Sequence, residues 1–442
     1  MNVLVVGSGG REHALAWRIA RSPGAGRIYA APGNPGTAKV AENVAIDPLD
    51  FQGLHDFCRQ KAVDLVVVGP ENPLAAGLAD FLRERGIAVF GPGRAGARLE
   101  SSKAWAKGFK RRHGVPCASY ATFDDLDDAV RHLRSTPGPW VIKADGLALG
   151  KGVTITGDLG EAIRAVGLYM DGTLLGEAGR TVVIEEYLRG RELTGMAVTD
   201  GESLLPLPFA RDHKRAFDGD QGPMTGGMGA FSPVPLGPRQ QELSRAIVDG
   251  ILRRTVEGLR KEGIDYRGVL YAGLMLTERG PKVLEYNVRF GDPEAQCIMP
   301  LLEGDFAGVL LACAEGRLGS SLEAGALRAS PGYCVSVVMA SAGYPGAYPK
   351  GLPISGLDEG LDEDPGTMVF QAGTKVQDGK LVTAGGRVLA VTSVAPSLRE
   401  AVERAYLRVR GIAFQGAHFR SDIASDIGFD EGHQGSGEVE QV

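Results

Sequence analysis

The chain has 442 residues, 43% of them hydrophobic, enough for about two to four domains because single cores rarely grow past roughly 250 to 300 residues. Its 48 Lys and Arg against 54 Asp and Glu leave a formal charge of -6, which excludes a global attraction to nucleic acid or to an anionic membrane surface; an anionic ligand must be held by local groups. The widely spaced cysteines Cys58, Cys117, Cys297, Cys313 and Cys334 form no C-x-x-C pair and read as buried free thiols in a reducing compartment. With no basic-then-apolar leader and no long apolar run, the expected location is cytoplasmic.

From Asn2 to about Gly93, short apolar runs alternate with helical patterns: VLVVG, a helix from Glu12 to Ala20, RIYAA, a helix near Phe51 to Lys61, DLVVVGP, a helix near Leu74 to Arg85, and IAVFGP. This pattern predicts a parallel sheet covered on both faces. In such sheets ligands sit at the carboxyl ends of the strands, which here carry Gly7-Ser8-Gly9-Gly10, Pro32-Gly33-Asn34 and Gly69-Pro70-Glu71. Gly7-Ser8-Gly9-Gly10-Arg11-Glu12 follows a strand and opens a helix, so its N–H groups suit an anion. It does not suit a dinucleotide: Glu12 replaces the third glycine, and the second strand ends in Ala31-Pro32-Gly33 without an acid for a ribose hydroxyl.

From Trp140 the period changes. WVIKA, a glycine-rich turn, VTIT, a helix near Glu161 to Tyr169 and RTVVIEEYL predict a small α+β unit. Lys143 to Gly152 places two lysines around glycines that let backbone close over phosphates. It is no P-loop, because Gly152 follows Lys151 where a hydroxyl would bind magnesium, and a strand follows instead of a helix. Lys143 lies in an apolar strand, where an ammonium needs a partner such as a polyanion or a salt bridge. Glu185 to Leu188 ends another apolar strand and could present backbone to an adenine edge, with Glu192 reaching ribose hydroxyls; singly, such acids are more often solvated.

Further on come a helix near Gln241 to Glu262 and the strands VLYAGLML and KVLEYNVRF, joined as a hairpin through Thr277 to Pro281. Period two puts Glu285, Asn287 and Arg289 on one face and Leu284, Tyr286, Val288 and Phe290 on the other. A carboxylate and an amide oxygen suit Mg2+ that also binds phosphates, and an arginine beyond them suits a transferring phosphoryl group. Asp212-His213-Lys214-Arg215 and Gly226 to Gly229 bound a loop dense in charge. His213 has no serine or cysteine partner in a recognisable motif, so no nucleophilic triad is expected. After Ser330, YCVSVVMA, MVFQAG, RVLAVTSV and an amphipathic helix near Leu398 to Arg410 predict a third, smaller unit, and the polar tail from Asp430 is expected to be disordered.

Read in order, VLVVGSGGREHALAW, APGNPGTA, DLVVVGPENPL, SSKAWAK, VIKADGLALGKGV, VIEEYL, ARDHKRAFDGDQGPMTGGMGAFSP, LYAGLM, EYNVRFGDPE, AGYPG, AGTK and GGRVLAVT resemble the phosphoribosylamine–glycine ligase (glycinamide ribonucleotide synthetase) family, over Asn2 to about Ile423. The resemblance implies an α/β and α+β multidomain protein. Its expected parts are an N-terminal parallel βαβ substrate-binding domain (1–102), a central ATP-grasp domain (103–325) with a small lid (about 120–192), a C-terminal α+β domain (326–428) and a tail (429–442). It implies ATP and Mg2+ (or Mn2+) as cofactors, glycine and phosphoribosylamine as small-molecule substrates, and no nucleic-acid, membrane or obligate protein partner.

By matching motif, Lys103, Lys143, Gly150, Lys151 and Gly152 resemble phosphate contacts, Glu185, Glu186 and Leu188 adenine contacts, and Glu192 a ribose contact. Glu285 and Asn287 resemble metal ligands. Gly9, Gly10, Arg11, Glu12, Asn34 and Glu71 resemble the phosphoribosylamine site, and Asp212, Lys214 and Arg289 lie around glycine and the transferred phosphate. The glycine-rich turn from Gly146 to Gly152 is the expected lid. Met224 stands where the family has asparagine, Thr194 where serine is common, and Ala424 and Asp426 where it has glycine and arginine. The rivals are another ATP-grasp ligase, an oxidoreductase that the missing acid disfavours, and a nucleotide sensor that gives no reason for Glu285, Asn287 and Arg289 to share a face.

Overall fold

A computed structural model describes residues 1–146, 152–172, 179–357, 364, 366–425 and 427. The N-terminal part is a five-stranded parallel sheet in the spatial order Glu42–Asn43, Ile28–Pro32, Val3–Gly7, Leu65–Val68, Ala88–Phe90. The order reverses between Val3–Gly7 and Leu65–Val68, so the loops leaving those strands, Gly7–Gly10 and Gly69–Glu71, flank the topological switch point where such sheets bind ligands. VLVVG is apolar throughout because both faces are covered. Leu4, Val6, Val66 and Val68 join one core with the Gly268–Thr277 strand and the helix behind it, while Val3, Val5, Leu65 and Val67 join another with helix Phe306–Ala314 and Phe370. The helix expected over Leu74 to Arg85 is two, Glu71–Ala76 and Leu78–Arg83, because Gly77 takes a left-handed φ of 96° between them.

The lid is an antiparallel sheet in the order Tyr120–Phe123, Val182–Glu186, Trp140–Ala144, Val153–Thr156. Asp125 and Asp158 accept the backbone N–H bonds that start its two helices, Leu126–Ser135 and Leu159–Met170, whose apolar sides bury Leu133, Val166 and Tyr169 against Ile142 and Ile184. Residues 147–151 of the expected lid turn, including the glycine and lysine at 150 and 151 expected as phosphate contacts, lie outside the described residues, as does the tail from 428.

The hairpin Gly268–Thr277 and Gly280–Asn287 forms as expected, beside Arg191–Thr199 and Leu204–Pro206, with the helical stretch from Gln240 to Lys261 behind it. Strands Arg211–Asp212 and Gly229–Ser232 leave this unit and pair into a sheet with Tyr333–Ala340, Arg387–Ala395 and Thr367–Gln371, so Ala230 lies opposite Ser336. Segments before and after residue 326 therefore share one sheet. Among the described residues no helix is long and apolar enough to cross a membrane. The described cysteines are free as expected; Cys117, which bridges Val283, is only partly buried, against the expectation of buried thiols.

Candidate active site

Strand Gly280–Asn287 carries the centre of the site. Opposite it Gly273 pairs with Glu285 and Leu274 with Val283, so Leu284 is an extra residue in a bulge. The bulge changes the expected faces: Val283 and Tyr286 are both buried, and Leu284 is only partly buried instead of packing with Tyr286. Glu285, Asn287 and Arg289 remain together facing the cleft. Lys214 reaches Glu285 at 3.4 Å and Glu192 at 3.6 Å, joining three segments that the sequence only listed separately. The Lys214 ammonium outweighs burial and holds the Glu285 carboxyl down to about 2, so this carboxylate is ionised at every working pH. Asp212, on the same short strand as Arg211, is pushed up to about 7 by burial; Lys214 opposes this and Glu294, Glu192 and Glu285 add to it.

Arg289 Nη2 donates to Asn287 Oδ1 at 3.2 Å and meets Glu100 at 2.9 Å, while its Nε lies 3.4 Å from Glu71. Burial opposes its charge, but Glu100 and Glu71 outweigh burial and raise its pKa. Glu71 in turn is held low by Arg289 and Arg11 against burial. The switch-point loop and the Glu285 strand are thus one electrostatic unit.

In the glycine loop, Glu12 accepts from Gly9 N and Arg11 Nε, each at 2.5 Å, and Arg11 Nη1 donates to Phe290 O. The start of helix Gly10–Ile19 therefore already holds an internal carboxylate, a different situation from an open ring of N–H groups. Asn34 donates to Ser8 O and Gln371 O and accepts from Gly36 N and Thr37 N, so its amide shapes the loop and is fully engaged.

On the lid, Lys143 Nζ lies 3.1 Å from Glu185 Oε1 and donates to Leu284 O; Lys107 holds the other Glu185 oxygen at 2.6 Å. Burial would raise the Glu185 pKa, but Lys143 and Lys107 lower it. Glu186 points away from that face, where its carboxylate accepts from Ser119 N and Lys282, so only its backbone is left for a ligand in the cleft. Lys103 donates to Gly146 O at the start of the expected lid turn, and Leu188 is buried just beyond the strand. Gly152 lies at the start of strand Val153–Thr156 and accepts from Ala144 N.

Residues the sequence did not single out complete the picture. Glu100 and Lys107 flank Lys103 in LESSKAWAK, but only their distances to Arg289 and Glu185 reveal a role. Val153 and Ile155 are 38% and 47% exposed; their register with Lys143 and Val141 puts them on the same sheet face as Lys143 and Glu185. An exposed apolar pair beside buried charges is the surface expected for a flat aromatic base.

A lid sheet and a hairpin sheet closing over lysines and a carboxylate–amide pair, beside a parallel-sheet switch point, define the ATP-grasp class of enzymes. Models of the phosphoribosylglycinamide synthetase N domain, ATP-grasp (A) domain and C domain match residues 1–100, 101–295 and 334–426. The chain belongs to the phosphoribosylglycinamide synthetase family. It is 48% identical to phosphoribosylamine–glycine ligase of Rhizobium meliloti over 96% of this chain and 98% of that one. It is 49% identical to the trifunctional purine biosynthetic protein adenosine-3 of Gallus gallus over 95% of this chain, which spans 42% of that protein. The crystal structure of phosphoribosylamine–glycine ligase from Thermotoga maritima superposes with a TM-score of 0.81 at 36% identity, covering 96% of this chain and 100% of that one.

Proposed function

We propose that this chain joins glycine to 5-phosphoribosylamine at the expense of ATP, in the cytoplasm, as a step of purine biosynthesis. The observation that carries this reading is that two polar networks meet on strand Gly280–Asn287: Lys214 links Glu192 to Glu285, and Arg289 links Asn287 to Glu100 and Glu71. It brings the groups expected for ribose, metal, transferred phosphate and phosphoribosylamine into one cleft.

In the reaction a glycine carboxylate oxygen attacks the γ-phosphorus of ATP, the bond to ADP breaks, and glycyl phosphate forms. The amine of phosphoribosylamine then attacks the acyl carbon; phosphate leaves, a proton is released and an amide remains. Arg289 and the cleft lysines neutralise charge on the transferring phosphoryl group, and Asp212 accepts from the glycine ammonium. Lys143 and Lys103 position the ATP phosphates, Glu185 orients Lys143, and Val153 with Ile155 cover the base.

Glu285 and Asn287 fit a hard divalent ion, Mg2+ or Mn2+: one donor is an ionised carboxylate, the other an amide oxygen, both residues are partly exposed, and the Lys214 and Arg289 contacts they make leave further lone pairs on each oxygen set. Among the described residues no group of three His, Cys, Asp or Glu surrounds them, so such an ion would complete its shell from phosphate oxygens and water and supply charge neutralisation there.

Phosphate release from ATP with Mg2+, glycine and freshly made phosphoribosylamine tests the reading. Release is expected only with both substrates, and a drop of at least 100-fold is expected for Glu285→Ala. Turnover with a different amine or carboxylate would keep the class and reject the substrates.

A further inference from the structure

The hairpin that follows Lys214, Arg215–Phe217 paired with Gln221–Met224, is stitched to the segment from His418 to Ala424, which no step of the proposed reaction uses. That segment is itself anchored on the C-terminal unit. His418 exchanges backbone bonds with Ala340, and the Tyr406 hydroxyl, from helix Leu398–Arg410, donates to Arg420 O and accepts from Ile423 N. At its centre lies Arg420, whose side chain is only 3% exposed. Its Nε and Nη2 donate to the two oxygens of Asp422 at 2.7 and 2.8 Å, a two-point contact that fixes the guanidinium plane. Burial opposes the charge of Asp422, but the bonds from Arg420 and Gly219 N outweigh it and hold the carboxyl down to about 2, so the pair stays ionised at every working pH. So held, Arg420 Nη1 donates to Arg215 O at 3.2 Å and to Asp220 Oδ1 at 3.1 Å. Around this contact Gly219 N donates to Asp422, Ser421 N to Asp218 and His418 Nε2 to Ala216 O. Ala424, which stands where the family has glycine, keeps a left-handed φ of 65° and still donates its N–H to His213 Nε2. On the other strand of the hairpin, Thr225 N and Oγ1 both donate to Lys214 O. The backbone is thus pinned before, at and after the residue whose ammonium spans Glu285 and Glu192.

We propose that Arg420 is a positioning residue for Lys214, holding it through Arg215 O at the glycine end of the cleft. This rests on the ligase reading, in which Lys214 lies around glycine and the transferred phosphate. Lys103, Lys143 and Glu185, at the nucleotide end, take their contacts from other segments, so the loss of Arg420 is felt at glycine and not at the nucleotide.

Steady-state phosphate release at varied glycine, with calorimetric binding of ADP and Mg2+ in parallel, tests the assignment. Arg420→Met is expected to raise the KM for glycine at least about tenfold, since small displacements of a positioning group are costly, and to leave the Kd for ADP within about twofold. Val409→Ala controls for a merely loosened C-terminal unit: it opens a cavity in the same core without touching these bonds. It should lower the melting temperature and leave the KM for glycine within about twofold. If Arg420→Met does not fold, Asp422→Asn, which breaks the two-point contact, is read in its place with the same expectation. An unchanged KM for glycine in the variant read, an equal loss of glycine and ADP affinity, or a KM for glycine raised as much by Val409→Ala overturns the assignment and leaves the ligase reading standing. A wild type that releases no phosphate with glycine and phosphoribosylamine overturns both.

Discussion

Asp212 and Glu285 both interact with Lys214 and differ in charge state for a physical reason. Lys214 touches Glu285 and holds it ionised, whereas Asp212 is buried among Glu294, Glu192 and Glu285 and titrates at about 7. Glycine stays a zwitterion through neutral pH, so on the proposed function its ammonium gains a full partner only when Asp212 has lost its proton. Because the carboxyl is raised to about 7, the binding form is half populated there, approaches completion about one pH unit higher and is lost as pH falls. Glycine affinity with a non-hydrolysable ATP analogue should therefore weaken towards roughly tenfold per pH unit below about 6, the limiting slope of a single ionisation. Asp212→Asn should bind weakly at all pH values without that slope. A slope that survives in the variant would remove Asp212 from the glycine pocket.

At the scale of the elements, strand identity was legible and strand detail was not. Apolar runs located the five parallel strands, the hairpin and the lid because burial on one or both faces writes a period into the sequence. The Leu284 bulge was hidden, since it arises from how Gly273 and Leu274 oppose Glu285 and Val283 across the hairpin. The Gly77 break was readable only as an isolated glycine in a helical pattern. Of the site and its support, motif residues were legible, but Glu100, Lys107 and Arg420 were not, because each acts across more than 75 positions of chain: Lys107 meets Glu185 78 residues on, and Arg420 meets Arg215 205 residues back. Ile155 belongs to the same class, and its exposure makes it testable. Truncation to Ala removes up to about 2 kcal/mol of apolar contact with a base, so Ile155→Ala should raise the KM for ATP by up to about thirtyfold. Its melting temperature should stay within about 2 °C, since the side chain is 47% exposed without ligand. A lower melting temperature with unchanged KM would instead mean that Ile155 packs within the lid.

The whole molecule divides mechanically in a way that the order of segments along the chain does not suggest. The central and C-terminal segments are tied by a common sheet, with Gly229–Ser232 paired to Tyr333–Ala340, and the N-terminal sheet is clasped on both faces by the same cores. The lid differs: its apolar cluster contains only residues from 123 to 184, and the ties described above between it and the rest are polar, such as Lys107 to Glu185, Lys143 to Leu284 O and Lys282 to Glu186. Polar ties across a cleft exchange with water at little net cost, whereas opening a shared apolar core exposes it. Native-state hydrogen exchange should therefore show Ile142 and Ile184 opening in a sub-global step, at lower free energy than Leu4, Val67 or Val337. If ATP bridges the lid and the hairpin, as proposed, a non-hydrolysable analogue with Mg2+ at about 100 times its Kd should raise the lid's opening free energy by about 2.7 kcal/mol, with a smaller change in the N-terminal sheet. Equal opening free energies in all these strands would show instead that the lid is held as one body with the rest, and closure over the nucleotide would then have to occur without independent movement of its sheet.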